Sequence, residues 1–234
     1  MRSYGQYCPL ARTAEIFAER WTPIIIRNLL NGASSFGQLR DGAPGIPKAL
    51  LADRLATLVR AGVLVRRVNP STRGVTYELT SAGRDLKPLC DAMGGWGMRW
   101  LEVEPQHIDP AYVLWATARL VDTDKLPIEQ VTVRIDLRDL PQQQYWMLLH
   151  RPQAEVCTRY PGTPEDLVVH TDAEALARWH LRQHTYRDLL RQHKISIDGP
   201  RPLARAFPTW IRPSPYAAQH PLDGHPASGA TRST

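Results

Sequence analysis

The chain has 234 residues, 43% of them hydrophobic and 22% charged; these are globular proportions, which exclude a disordered or fibrous chain and leave room for one large domain or two small ones. No run of about 18 apolar residues occurs, so no membrane-spanning helix is expected, and Met1 to Gln6 lack the apolar core of a signal peptide, so the expected location is the cytoplasm. The net charge of +6 is unevenly placed: residues 1–100 hold 14 Lys and Arg against 7 Asp and Glu, the remainder 15 against 16, and that local excess favours a polyanionic partner.

Cys8-Pro9-Leu10-Ala11 opens the first helical pattern, with Leu10, Ala14 and Phe17 spaced as one buried stripe that ends near Arg20. Trp21-Thr22-Pro23 starts a second helix, with Thr22 as N-cap and Pro23 as first residue. Its run of Ile24, Ile25, Ile26, Leu29 and Leu30 places it at the centre of a core, and Asn31-Gly32 ends it. Residues 34–79 then read as a short helix, a Pro/Gly turn, a longer helix and two strands around a polar tip. In the longer helix, Pro47 suits a first position and Leu51, Leu55 and Leu58 share a buried stripe, while Gly62 sits where a left-handed C-cap is wanted. Ala49, Leu50, Asp53, Thr57 and Arg60 occupy the outer face, with Lys48 at the exposed first turn. Val63 and Val65, then Val75, Tyr77 and Leu79, alternate as a hairpin around Asn69–Gly74, and Arg66, Arg67 and Arg73 place three guanidiniums on or near it. A helix-turn-helix followed by such a ribbon is a winged helix, a module that enters the DNA major groove. After Thr80–Gly83 a long helix carries Leu86, Leu89, Cys90, Met93, Trp96 and Trp100, more apolar surface than a small domain needs; the excess is read as a dimer surface shared with the first helix.

Residues 7–100 resemble the HxlR family of winged-helix transcriptional regulators. The residues that carry the resemblance are Tyr7-Cys8-Pro9-Leu10, Glu19-Arg20-Trp21-Thr22, Ser35 to Arg40, Pro44-Gly45-Ile46, Leu51 to Leu55, Leu58, Gly62-Val63-Leu64, Tyr77 to Thr80 and Gly83. The resemblance implies a homodimeric regulator, a repressor in this reading, that places one recognition helix per subunit on double-stranded DNA with two half-sites. The expected DNA-binding residues are Ser35, Pro47, Lys48, Ala49, Leu50, Asp53, Arg54, Arg66, Arg67, Thr72 and Arg73. Ala49 and Leu50 depart from the polar or basic residues usual there; they can meet thymine methyls but cannot hydrogen-bond a base edge, which shifts weight to DNA shape and to the wing. Cys8 is the one candidate redox-sensing thiol, since the resemblance implies an N-terminal sensing cysteine in part of the family, and a helix N-terminus and Arg12 would favour its thiolate. Its other reading is a small apolar packing residue at the dimer contact. The three cysteines are far apart in sequence, and neither a zinc spacing nor a structural disulfide is expected.

Past the linker the composition changes. Residues 111–121 fit a helix; 131–137, 145–150, 156–160 and 167–170 fit strands. Thr171 with Glu174 reads as a capping box, followed by helices through Trp179 and from Thr185 to Gln192, a short strand at 195–197, and a turn into Leu203–Phe207. Asp166-Leu167, Thr171-Asp172, Ile195 to Gly199, Leu203 and Phe207 to Trp210 resemble the sterol carrier protein fold of type two, which implies an apolar tunnel; Val133, Ile135, Trp146 and Leu148 are its expected lining for a small apolar ligand. The expected fold is therefore α+β: a winged-helix domain over 1–103, a linker over 104–110, a sterol-carrier-like α/β ligand or regulatory domain over 111–212, and a disordered tail over 213–234.

No phosphate loop, nucleophile elbow or paired-carboxylate pattern appears, so no enzyme activity, catalytic residue or cofactor is expected. His180 and His184 are four apart on a helix but lack a third ligand, so no metal is expected either. The competing functional reading is a carrier or sensor of a hydrophobic ligand in which the winged helix serves mainly for dimerisation.

Overall fold

The computed structural model describes residues 3–68, 70, 74–101 and 104–217. The N-terminal unit is built from α1 (Pro9–Phe17), α2 (Thr22–Leu30), α3 (Phe36–Asp41), α4 (Lys48–Arg60), β1 (Leu64–Val68), β2 (Val75–Leu79), the short α5 (Ser81–Arg84) and α6 (Lys87–Trp100). Its core gathers Phe17, Ile25, Ile26, Leu29, Leu39, Leu51, Leu55, Leu58 and Leu64. The leucine stripe of α4 is closed, with Leu51, Leu55 and Leu58 at 0%, 0% and 1% exposure. Helix α2 begins one residue earlier than expected: Trp21, in the left-handed region at φ 77°, is its N-cap and Thr22 its first residue. Leu10, expected in a buried stripe, is 76% exposed.

The C-terminal unit begins at α7 (Pro110–Ala118) and contains β3 (Val131–Leu137), β4 (Gln144–Leu149), β5 (Ala154–Cys157), β6 (Leu167–Thr171), α8 (Ala173–His180), α9 (Tyr186–Arg191), β7 (Ser196–Asp198) and α10 (Arg201–Ala206). Its sheet has the order β5-β4-β3-β6-β7, with β3 and β6 parallel and every other pair antiparallel. Buried side chains of α7, α8 and α9 join Val131, Val133, Ile135 and Leu137 in one core, so these helices cover the same face of the sheet. The cap of α8 is Asp172, whose carboxylate accepts from the Ala175 amide, whereas Thr171, expected to open a capping box, ends β6 and donates its hydroxyl to the Lys194 carbonyl. No helix among the described residues is long and apolar enough to cross a membrane.

Helix α7 is apolar almost all round because it serves two cores. Val113, Leu114 and Ala118 belong to the C-terminal core, and Trp115 belongs to the N-terminal one, with Tyr112 and Ala116 packed against it. The Trp115 ring rests on Gly42, at the C-terminus of α3: a Cβ there would lie 2.5 Å from both the ring and the Asn28 amide nitrogen. Gly42 has an ordinary helical φ of −79°, so close approach, not backbone freedom, is what requires glycine. Gly42→Val should overpack this contact, lowering stability by about 1–3 kcal/mol and shifting tryptophan emission; urea unfolding followed by fluorescence measures both, and an unchanged midpoint would place the two units apart.

His180, at the end of α8, meets this junction. Its Nδ1 lies 2.9 Å from the Thr117 hydroxyl. Burial, helped by the charges of Arg182 and Arg27, lowers its pKa to about 4 from the ordinary 6.5. The folded state holds this imidazole neutral while the unfolded chain takes up a proton below pH 6.5, so stability falls as pH falls from about 6.5 toward about 4. The expected loss across that window is about 3 kcal/mol. Equilibrium unfolding at pH 7 and pH 4.5 should show it in the parent, and His180→Gln should flatten that part of the profile.

Residues 213–217, expected to begin a disordered tail, are ordered against α6. The Tyr216 ring covers Gly94, where a Cβ would lie 2.1 Å from it. The rest of that stretch, from 218 onward, lies outside the described residues.

Candidate nucleic-acid interface

The two helices of the helix-turn-helix are α3 and α4, separated by a turn through Gly42 to Ile46. Ser35 caps α3: its hydroxyl accepts from the Gln38 amide at 3.2 Å, and the Gln38 side chain accepts in return from the Ser35 amide at 3.2 Å. This closed box fixes the start of α3. The same segment seats the wing, since the Tyr77 amide donates to the Ser34 carbonyl at 2.8 Å and Ser35 bridges Thr76. Ser35, expected at the DNA, therefore has a local structural role whatever else it meets.

Burying Leu51, Leu55 and Leu58 turns the opposite side of α4 outward. Pro47, as N-cap, and Lys48, Ala49 and Asp53 are exposed, and Leu50 is intermediate. Gly62, at φ 72°, ends the helix in the left-handed conformation that a side chain disfavours, and the chain turns directly into β1. The antiparallel β1–β2 ribbon pairs Leu64 with Leu79 and Val68 with Val75. Arg66 and Arg67 are both exposed on it. Arg67 makes a loose ion pair with Glu78 at 3.4 Å, with both side chains more than half exposed, a contact weak enough to be exchanged for a phosphate. Thr72 and Arg73, expected at the wing tip, lie outside the described residues.

Arg54 is not with this set. Its guanidinium turns back to the turn between α1 and α2, with Nη2 2.9 Å from Glu19 and Nη1 3.3 Å from Asp53, and its side chain is only 19% exposed. It ties α4 to the α1–α2 turn instead of presenting a free cation. Arg60, read on the outer face of the helix but not among the expected contacts, is exposed on the last turn of α4; Arg40 on α3 is also exposed and was not anticipated, its only signal being the positive excess of the first 100 residues.

The surface so assembled carries Lys48, Arg60, Arg66 and Arg67 in the open on one helix and the ribbon that follows it. Such groups suit phosphate contact, and Ala49 and Leu50 offer only apolar contact to bases.

The remaining expected sites separate. Cys8 is exposed at the N-cap position of α1 and makes no side-chain capping bond. Val133 and Ile135, at 0% and 2% exposure, are closed within the C-terminal core. Trp146 and Leu148 stand opposite Arg134 and Thr132 in the β3–β4 register, and so lie on the other face of the sheet. There Trp146 donates its indole N–H to Glu165 at 3.2 Å. The four residues expected to line one tunnel cannot do so, because successive side chains of a strand point to opposite faces. No group of three or more potential metal ligands occurs among the described residues.

Residues 16–105 match the family model described as HxlR-like helix-turn-helix. The chain is 35% identical over 101 residues to the HTH-type transcriptional regulator sll1512 of Synechocystis, a match covering 43% of this chain and 75% of that one. To the HTH-type transcriptional regulator YvaP of Bacillus subtilis it is 30% identical over 107 residues, covering 45% of this chain and 97% of the relative. Among solved structures, the reduced form of the transcriptional regulator YodB of Bacillus subtilis is 30% identical, with 42% of this chain and 97% of that chain covered and a TM-score of 0.37.

Proposed function

This chain belongs to the HxlR-like helix-turn-helix family of transcriptional regulators, and on that premise we propose that it is a cytoplasmic homodimeric repressor that binds an operator of two half-sites. The observation that carries the reading is α4: its leucine stripe is sealed in the core, its other face is open, and it leads at once into a ribbon with two exposed arginines. Phosphate contacts by Lys48, Arg66 and Arg67 supply affinity and register; the small apolar start of α4 leaves much of the selectivity to DNA shape.

Support for the dimer comes from apolar side chains left uncovered on the N-terminal arm, α1 and α6. Tyr7 is 103% exposed, Leu10 76%, Trp96 58% and Met93 51%. An isologous contact, in which this patch meets its own copy, would cover them and hold two α4 helices at a fixed spacing. The C-terminal unit, joined to the winged helix through α7, is the regulatory part. Its one-sided sheet is compatible with the sterol-carrier resemblance, although its core is filled by its own side chains.

Genomic fragments selected by the full chain should be enriched over bulk DNA, and footprints on them should show two protected segments about 10 base pairs, or a multiple of one turn, apart. Absence of enrichment at modest salt would overturn the DNA reading; a single protected segment would overturn the dimer.

A further inference from the structure

The junction between the units holds a partly enclosed cavity of about 80 Å³, walled by α2, α6, α7 and the end of α8 and roofed by Ser214–Tyr216. Its charged groups are Arg27, Lys87 and Asp91. Lys87 and Asp91 pair with each other one turn apart on α6 and cancel. His180 is neutral at pH 7, and burial pushes the Cys90 thiol and the Tyr216 phenol up, so neither adds charge there. The net charge of the lining is therefore that of Arg27.

Arg27 is held in place without being neutralised. Its Nε and Nη2 donate to the Asn28 side chain at 3.2 and 2.9 Å, and Nη2 also donates to the Gly42 carbonyl at 3.0 Å. Its guanidinium carbon lies 5.0 Å above the Tyr112 ring. No carboxylate among the described residues pairs with it, and Nη1 makes no hydrogen bond among them. A half-buried guanidinium with two idle donors on a rigid mount is suited to a planar anion, because a carboxylate matches its geometry and desolvation strengthens the pair.

Beside this cavity lies a second hollow of about 200 Å³ bounded by Pro23, Ile24, Met93 and Gly94. Arg27, Cys90 and Tyr216 border both spaces. The Tyr216 phenol ring occupies a slot that exists only because Gly94 has no side chain. The first cavity alone is smaller than the ~150 Å³ that holds benzene in a dry protein interior. With the Tyr216 ring displaced the two spaces become one, large enough for a ring and a carboxylate.

We propose that this junction is a binding site for a small aromatic monocarboxylate, whose carboxylate pairs with Arg27 and whose ring replaces that of Tyr216 in the slot over Gly94. Tyr216 is then a tethered competitor: it closes the site when empty, and its departure on binding releases the 211–217 strap from α6. Binding here does not depend on DNA being the partner of the winged helix.

The test is calorimetric titration of the full chain with benzoate and with benzamide, its uncharged isostere. Benzoate should bind saturably at one site per chain, at least tenfold more tightly than benzamide. Tyr216→Gly removes the competitor and should tighten benzoate several-fold. Arg27→Gln should erase the preference for benzoate over benzamide; circular dichroism checks its fold, and should it misfold, the ligand pair and Tyr216→Gly carry the decision. If neither parent nor Tyr216→Gly binds benzoate saturably, or if benzamide binds equally well, the site is not one for aromatic carboxylates.

Discussion

Trp96→Glu should convert the protein from dimer to monomer at micromolar concentration in light scattering, and weaken binding to a two-half-site fragment by about 100-fold or more. In the single chain Trp96 is 58% exposed, with Leu89, Met93 and Trp100 on the same helix at 39%, 51% and 54%. Removing one exposed side chain leaves the monomer core intact. In an isologous contact, by contrast, each substitution occurs twice around the symmetry axis, and two carboxylates would be buried without partners. The loss in DNA affinity follows because two half-sites held by one dimer bind with the advantage of high effective concentration, which a monomer lacks. A variant that remains dimeric would move the subunit contact away from α6.

Much of the winged helix was legible in the sequence because its determinants are local. Leu51, Leu55 and Leu58 define the buried side of α4 within one helix, Gly62 ends it, and alternation marks both strands of the ribbon. What escaped depends on pairings between distant segments. Arg54 reads as a cation on a recognition helix; only the fold brings Glu19, 35 residues earlier, within 2.9 Å of it. Residues 145–149 form an unbroken apolar run, so periodicity could not say which side meets the helices. The register against β3 decides it: Tyr145, Met147 and Leu149 face the core, while Trp146 and Leu148 face away. The segment at 213–217 has the composition of a loose tail, but Tyr216 has a seat prepared for it by Gly94, more than a hundred residues earlier. Helix α7 was legible as a helix, whereas its service to two cores was not, since an apolar surface does not name what covers it.

With Arg54 turned away, the exposed cations of the proposed DNA surface are Lys48, Arg60, Arg66 and Arg67, beside the apolar Ala49 and Leu50. The proposed ligand site lies at the junction and not in the sheet interior, and there a change in the C-terminal unit would reach α2 and α6 through Trp115, Arg27 and Tyr216. For a ligand there to alter DNA binding, it must bind unequally to the two arrangements of the dimer, and the strap over α6 is an element that ligand and dimer contact would both bias.

The most direct test of the central claim is fluorescence anisotropy of the full chain on a selected DNA fragment, between 50 and 200 mM salt in scale, for the parent, the double variant Lys48→Glu/Arg66→Glu, and Arg54→Ala. The parent should lose affinity steeply with salt. The double variant should bind at least about 100-fold more weakly at the low-salt end, with a log–log slope shallower by about two units, one per phosphate contact removed. Arg54→Ala, which removes ties to Glu19, Asp53 and the Arg20 carbonyl but no exposed cation of the surface, should keep the parent slope. Parent and double variant with the same affinity and the same slope would contradict the assignment of α4 and its ribbon to DNA.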